Sequence, residues 1–210
     1  MPPATRGAIY DKDRVASLSD GVFAISMTLL VLNLRVPETS AVPLIMVLQQ
    51  MLPRIDNWLI TFMVGGALWV MHHNMLAQLR CTNTLFLWLN LLFLVCISFL
   101  PYPTALVTLY PEETAAVILF SGSVGFAGLV LMSQWLYASH NGRLTTLHIT
   151  PGYARLMLLL IARTPVVAAL SMLLAAVHSQ LALYSWLLVA VFGIILRHRS
   201  RLAKANRPGG

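Results

Sequence analysis

The sequence predicts an all-α fold, a polytopic membrane bundle of six transmembrane helices, on three observations. Of its 210 residues 58% are hydrophobic, and only 10% are charged, against about a quarter in soluble domains. The apolar residues gather in runs of about 20, the length that crosses a hydrocarbon core of about 30 Å. Basic residues fall in alternate connections, as expected when positively charged loops stay on the cytoplasmic side. A soluble fold of this length could not bury so much apolar surface.

An N-terminal segment, residues 1–14, carries Arg6, Asp11, Lys12, Asp13 and Arg14 and reads as cytoplasmic. It is too polar to serve as a signal peptide. The membrane domain spans residues 15–196, and a basic cytoplasmic tail follows at 197–210. The spans are predicted near Val15–Val36, Trp58–Leu79, Thr84–Leu109, Thr114–Ala138, Tyr153–Val177 and Leu181–Leu196. Between the first two lies an external loop, Pro37–Ile55. Its apolar stretch, Val42–Leu52, is bracketed by Pro43 and Pro53 and is too short to span, so it reads as interfacial or as a pore turret.

With both termini inside, the inner segments hold Arg6, Lys12, Arg14, Arg80, Arg143, Arg155 and the whole tail from Arg197 to Arg207, while Arg35 and Arg54 lie outside. The net charge of +7 is therefore a topology signal with some affinity for anionic membrane lipids. No nucleic-acid fold accompanies it, and none is expected as a partner. Cys81 and Cys96 stand about 22 Å apart on one predicted helix, too far to pair, and read as free structural thiols. Gly65, Gly66, Ser121, Gly122, Gly125 and Gly128 lie inside apolar spans, where small residues let helix backbones approach. No strand precedes these glycines, so they form no phosphate cradle.

Intramembrane polar residues each cost about 2.5–3.5 kcal/mol on insertion scales if left without a partner or water. Here they share a depth. Arg14, Ser19 and Asp20 open the first span, Trp69, His72, His73 and Asn74 close the second, and Asn83 and Asn90 lie on the third. Three helices thus place donors and acceptors in one inner layer, which suggests a hydrogen-bonded lock in which Asp20 accepts from Arg14 or an imidazole. The plainer alternative is an interfacial histidine pair that hydrates a helix end. Adjacent helical histidines diverge by about 100° and do not readily chelate one metal. No cofactor is implied. An enzyme is disfavoured as well, because neither a nucleophile with its base nor a His-Glu-x-x-His pattern occurs. Arg163 adds an intramembrane cation in the fifth span, followed by Pro165, whose missing N–H frees a nearby carbonyl.

On the first span Ile25, Thr28 and Leu32 recur at i, i+3 and i+7 and form one stripe. Such stripes are ordinarily core, and a pore lining is the alternative. The run Arg14-Val-Ala-Ser-Leu18-Ser19-Asp20, followed by Gly-Val-Phe-Ala-Ile-Ser-Met-Thr, resembles the Arg-x-x-x-Phe-Ser-Asp signature of the endosomal and lysosomal potassium channel family, transmembrane protein 175. Trp69-Val-Met-His72-His73, Asn90 and the run from Ser98 to Thr104 resemble its short bacterial branch. Leu18 departs from the signature, keeping an apolar residue where the family has an aromatic ring.

That resemblance implies a homotetramer in a bacterial inner membrane, with a pore lined by the first helix and no re-entrant selectivity loop. It places the family's pore positions on Ile25, Thr28 and Leu32, where periodicity alone drew a stripe. Arg14, Ser19, Asp20, Trp69, His72, His73 and Asn90 would form the polar lock. The function implied is a cation channel that passes potassium and other monovalent cations, with modest selectivity over sodium. Potassium is in transit there and is not held at a fixed metal site. The competing class is a proton-coupled secondary transporter using Asp20, His72 or Arg163, against which stands the lack of an inverted repeat.

Overall fold

The structure is a computed structural model that describes residues 9–35, 43–146 and 149–188. It is helical almost throughout: α1 (Lys12–Leu29) with a 3-10 turn (Leu30–Asn33), α2 (Leu44–Leu76), α3 (Thr84–Phe99), α4 (Pro101–Leu109), α5 (Thr114–Ser139), α6 (Pro151–Ala175) and α7 (Ser179–Tyr184). Among the described residues five segments are long and apolar enough to cross a membrane, with α3 and α4 acting together as one. These match the first five predicted spans. The sixth begins within α7, and its residues 189–196, like the basic tail, lie outside the described residues. Val36, the first part of the Pro37–Ile55 loop and residues 1–8 also lie outside them.

Local chemistry explains the helix ends. The Asp11 carboxylate caps α1 by accepting from the Asp13 N–H at 2.9 Å, and Asn83 caps α3 by accepting from Phe86 N–H at 3.1 Å. Thr150 does the same for α6, where Pro151 at the first position gives up no hydrogen bond. The third span is divided at Leu100 into α3 and α4, where Pro101 brings no N–H to continue the ladder.

The stretch Val42–Leu52 departs from expectation. Residues from Leu44 onward begin α2, which runs unbroken through Pro53 to Leu76, instead of forming an interfacial turn or turret separate from the second span. A proline removes one backbone bond and bends a helix without having to end it. At 33 residues α2 is about 50 Å long, well beyond a hydrocarbon core of about 30 Å.

α5 and α6 pack most closely. A Cβ placed on Gly125 would stand 2.6 Å from the Ala168 Cβ, and one on Gly128 would stand 2.9 Å from both Pro165 Cδ and Thr164 Cγ2. Gly122 faces open space, so of the three glycines two make the close approach. A buried polar chain adds to this seam. Trp186 Nε1 donates to Ser121 Oγ (3.2 Å), Ser121 Oγ to Ser171 Oγ (2.9 Å), and Ser171 Oγ to the Ala182 carbonyl (2.8 Å). Arg163 sits half-buried on α6.

At the end of the bundle where α1 begins, three segments are stitched by backbone. Strand β1 (Ile9–Tyr10) pairs antiparallel with β2 (Thr82–Asn83), setting Ile9 opposite Asn83 and Tyr10 opposite Thr82. Leu79 bridges to Thr145, and Asn83 Nδ2 donates to the Tyr137 hydroxyl at 2.8 Å. Arg143 lies 4.8 Å over the Tyr137 ring. Cys81 and Cys96 are both free thiols.

Candidate functional site

Two faces of α1 have opposite fates. Val15, Ser19, Phe23, Ser26 and Leu30 are buried, at helical spacing, against the rest of the bundle. Ile25 and Leu32 are 63% and 62% exposed, and Thr28 between them is exposed too. The Ile25, Thr28 and Leu32 stripe is therefore not the core of its own chain. Leu29, beside it, is also exposed.

The Thr28 hydroxyl donates to the Ile25 carbonyl at 2.8 Å. Its one proton is thus spent on the helix, and the lone pairs of its oxygen remain to accept or to meet a cation. Leu32 falls on the 3-10 turn, where Asn33 Nδ2 donates to the Pro101 carbonyl at 3.4 Å and ties this end of the segment to α4.

On the buried face a directed chain of hydrogen bonds joins three helices. Ser19 Oγ on α1 donates to the Val15 carbonyl at 2.8 Å and accepts from Asn90 Nδ2 on α3 at 3.2 Å. The Asn90 amide is thereby oriented with Oδ1 toward His72 on α2, whose Nε2 lies 2.8 Å away. An amide oxygen can only accept, so His72 Nε2 carries the proton in this arrangement. Ser19, His72 and Asn90 are all buried. The imidazole is held by rings: Phe93 stacks on it at 5.0 Å, Phe23 lies at 6.1 Å, and the two phenylalanines approach at 5.9 Å.

Nearer the surface Trp69 Nε1 donates to Asp20 Oδ1 at 2.7 Å, and the Trp69 ring lies 5.4 Å from that of His73. The donor to Asp20 is thus an indole and neither Arg14 nor an imidazole. Arg14 and Asp20 are six residues apart, which turns their side chains about 120° from each other on a helix. Arg14 is exposed and has no hydrogen bond or ion pair among the described residues. Of the expected lock residues, the structure joins Ser19, Asn90 and His72 in one chain and Asp20, Trp69 and His73 in a second, and it leaves Arg14 out of both.

Phe23 and Phe93 were not singled out from sequence. Helical spacing could have found them, because Phe23 follows Ser19 by four residues and Phe93 follows Asn90 by three, each one turn along the same face. No group of three or more histidine, cysteine or carboxylate residues suited to a metal occurs among the described residues.

Comparison with known proteins gives a consistent picture. Residues 14–101, which contain all but the first two residues of α1, the whole of α2 and α3, and both hydrogen-bonded chains, match the family model described as endosomal/lysosomal potassium channel TMEM175. A potassium channel of Chamaesiphon minutus is 33% identical over 137 residues, covering 62% of this chain and 68% of the relative. The chain superposes with a TM-score of 0.77 and 25% identity on the crystal structure of a lysosomal potassium-selective channel TMEM175 homolog from that genus, covering 88% of this chain and 96% of the other. The endosomal/lysosomal proton channel TMEM175 of Danio rerio is 32% identical over 150 residues, which are 65% of this chain and 29% of that longer protein.

Proposed function

The chain belongs to the TMEM175 family of ion channels, an integral membrane family and not one of enzymes, and from that premise we propose that it forms a homotetrameric, potassium-permeable channel whose axis is lined by α1. The observation that carries the reading is the exposure of Ile25, Thr28 and Leu32 on a helix whose opposite face is anchored. An apolar stripe that its own chain leaves open needs either lipid or other copies of itself.

In the tetramer the Ile25 side chains form a narrow apolar constriction, where a cation must shed part of its hydration. Potassium, larger and more weakly hydrated than sodium, loses less there. About one turn further on, the Thr28 oxygens, whose protons are committed to the Ile25 carbonyls, return part of the lost coordination. Selectivity is modest because no rigid carbonyl cage takes part. The Ser19–Asn90–His72 chain and the Asp20–Trp69 pair act as the lock that holds α1 at a fixed rotation, so that its stripe faces the axis. Both termini lie in the cytoplasm, a reading that the distribution of arginine and lysine supports, and the likeness to bacterial potassium channels supports a bacterial inner membrane.

The test is reconstitution of purified protein into planar bilayers under a potassium and sodium gradient, beside a mass measurement in nanodiscs. Unitary current steps that reverse toward the potassium potential, from a tetramer, are expected. A monomer in nanodiscs, or flux without unitary steps as in a transport cycle, defeats the proposal. A second reading is proton permeation, favoured by the name of the zebrafish relative. It requires the reversal potential to follow an imposed pH gradient.

A further inference from the structure

The regular turn of α1 extends the exposed stripe beyond the residues just assigned to the pore. At about 100° per residue Arg14 and Leu18 fall about 20° to either side of Ile25, and Gly21 about 40° away. All three are exposed, and the helix runs without a break from Lys12 to Leu29. Within about 60° of Ile25 lie Arg14, Leu18, Gly21, Val22, Thr28, Leu29 and Leu32, and among the residues of α1 on this face Arg14 is the one that is ionisable. Asp13 and Asp20 lie about 120° and 140° from the line, and Lys12 about 140° on the other side.

Helix stability does not call for a cation at this point. The first turn of α1 is the positive end of the helix dipole, where carboxylates such as Asp11 and Asp13 are favourable and a guanidinium is not. Nor does the lock use it, since Arg14 has no hydrogen bond or ion pair among the described residues. Retention of positive charge on the cytoplasmic side would be served by any face of the helix.

We propose that the Arg14 guanidinium groups of the assembled channel ring the pore mouth at the N-terminal end of α1 and set how fast cations enter there, an inference that rests on the tetrameric pore reading above. A guanidinium stays charged at every physiological pH. A ring of them lowers the local cation concentration at the mouth, and added salt screens the effect. Arg14 lies about 16 Å along the axis from Ile25, twice the Debye length of about 8 Å at physiological ionic strength. The ring therefore governs entry while the choice between potassium and sodium stays with Ile25.

The experiment compares unitary currents of the full chain with those of Arg14→Gln and Arg14→Lys in reconstituted bilayers, at about 20 mM and about 1 M potassium chloride. In low salt Arg14→Gln is expected to raise the current entering at the α1 N-terminal end about two- to threefold, and in high salt to change it by less than about 1.2-fold. The reversal potential in mixed potassium and sodium stays that of the parent, and Arg14→Lys conducts like the parent. Equal low-salt currents for Arg14→Gln and the parent overturn the ring. A parent that shows no unitary current overturns the pore reading instead, so the two failures are distinct.

If Arg14→Gln does not assemble, the same point is tested by Leu18→Cys in a Cys81→Ala, Cys96→Ala background, labelled with a cationic or an anionic methanethiosulfonate. Opposite effects on low-salt entry, depressed by the cation and raised by the anion, support the ring. Effects of the same sign, or none, refute it.

Discussion

The two halves of the molecule are held together by different means. α5 and α6 meet through small residues, with Gly125 against Ala168 and Gly128 against Thr164 and Pro165. α1 is fixed to its neighbours by large rings and by hydrogen bonds through Ser19 and Asp20. Close approach over small side chains, reinforced by the Ser121–Ser171 hydrogen bond, makes a rigid strut, whereas a helix fastened on one polar face keeps the other available. The second half thus reads as scaffold and the first as working surface.

The contrast can be broken most directly at the strut. Gly125→Leu should abolish the monodisperse species in size exclusion, since even a bare Cβ there meets Ala168 at 2.6 Å. Gly125→Ala should cost about 1–3 kcal/mol by overpacking. Gly122→Ala, with nothing within 4 Å, should be neutral in the same thermal unfolding assay. Equal effects at Gly122 and Gly125 would show that the seam lies elsewhere.

The working half should respond next at its buried polar chain. Asn90→Leu leaves the buried His72 Nε2–H without its acceptor, at about 1–3 kcal/mol, and takes one donor from Ser19 Oγ, whose own proton stays on the Val15 carbonyl. A double-mutant cycle with His72→Leu should recover part of that loss, because removing both partners is gentler than removing one. Strict additivity would deny the bond. Asp20→Ala, on an exposed residue bonded to one indole, should lower thermal stability less than Asn90→Leu and silence or diminish the current. Asp20→Asn keeps an acceptor oxygen and should preserve both.

The smallest effect on stability is expected on the open stripe. Ile25→Asn should change unfolding by no more than about 0.5 kcal/mol in the isolated subunit, as exposed substitutions do. In the tetramer it should raise conductance and lower potassium preference, because an amide holds water where isoleucine repels it. Leu29→Asn should disturb assembly more than selectivity. Ile25→Asn tetramers with the parent's reversal potential would return the stripe to ordinary surface.

Much of this was legible because it depends on composition and period. Runs of about 20 apolar residues located the five spans seen among the described residues, and periodicity alone drew the line through Ile25, Thr28 and Leu32. Ser19, His72 and Asn90 stood out because polar groups at membrane depth need partners. Their pairing was not legible, since it depends on how three helices rotate against one another. Arg14 shares the depth of Asp20 but not its face, because six residues turn a helix by about 120°. The start of α2 was missed because Pro43 and Pro53 look like boundaries in a string of letters. One proline sits before the first turn and the other is absorbed within the helix. The β1–β2 pair involves two residues on each side, too few for any alternation to register.

That small pair is a further fastening of α1. α1 starts two residues after Tyr10, whose carbonyl accepts from Thr82 Oγ1 at 3.1 Å, so its first turn moves only with the rim formed by the loops around Arg80 and Arg143. The same helix is tied again at its middle, through Ser19 and Asp20, and beyond its far end, where Asn33 meets the Pro101 carbonyl. A rod held at three points along its length cannot tilt alone: any movement of α1 has to carry α2, α3 and α4 with it.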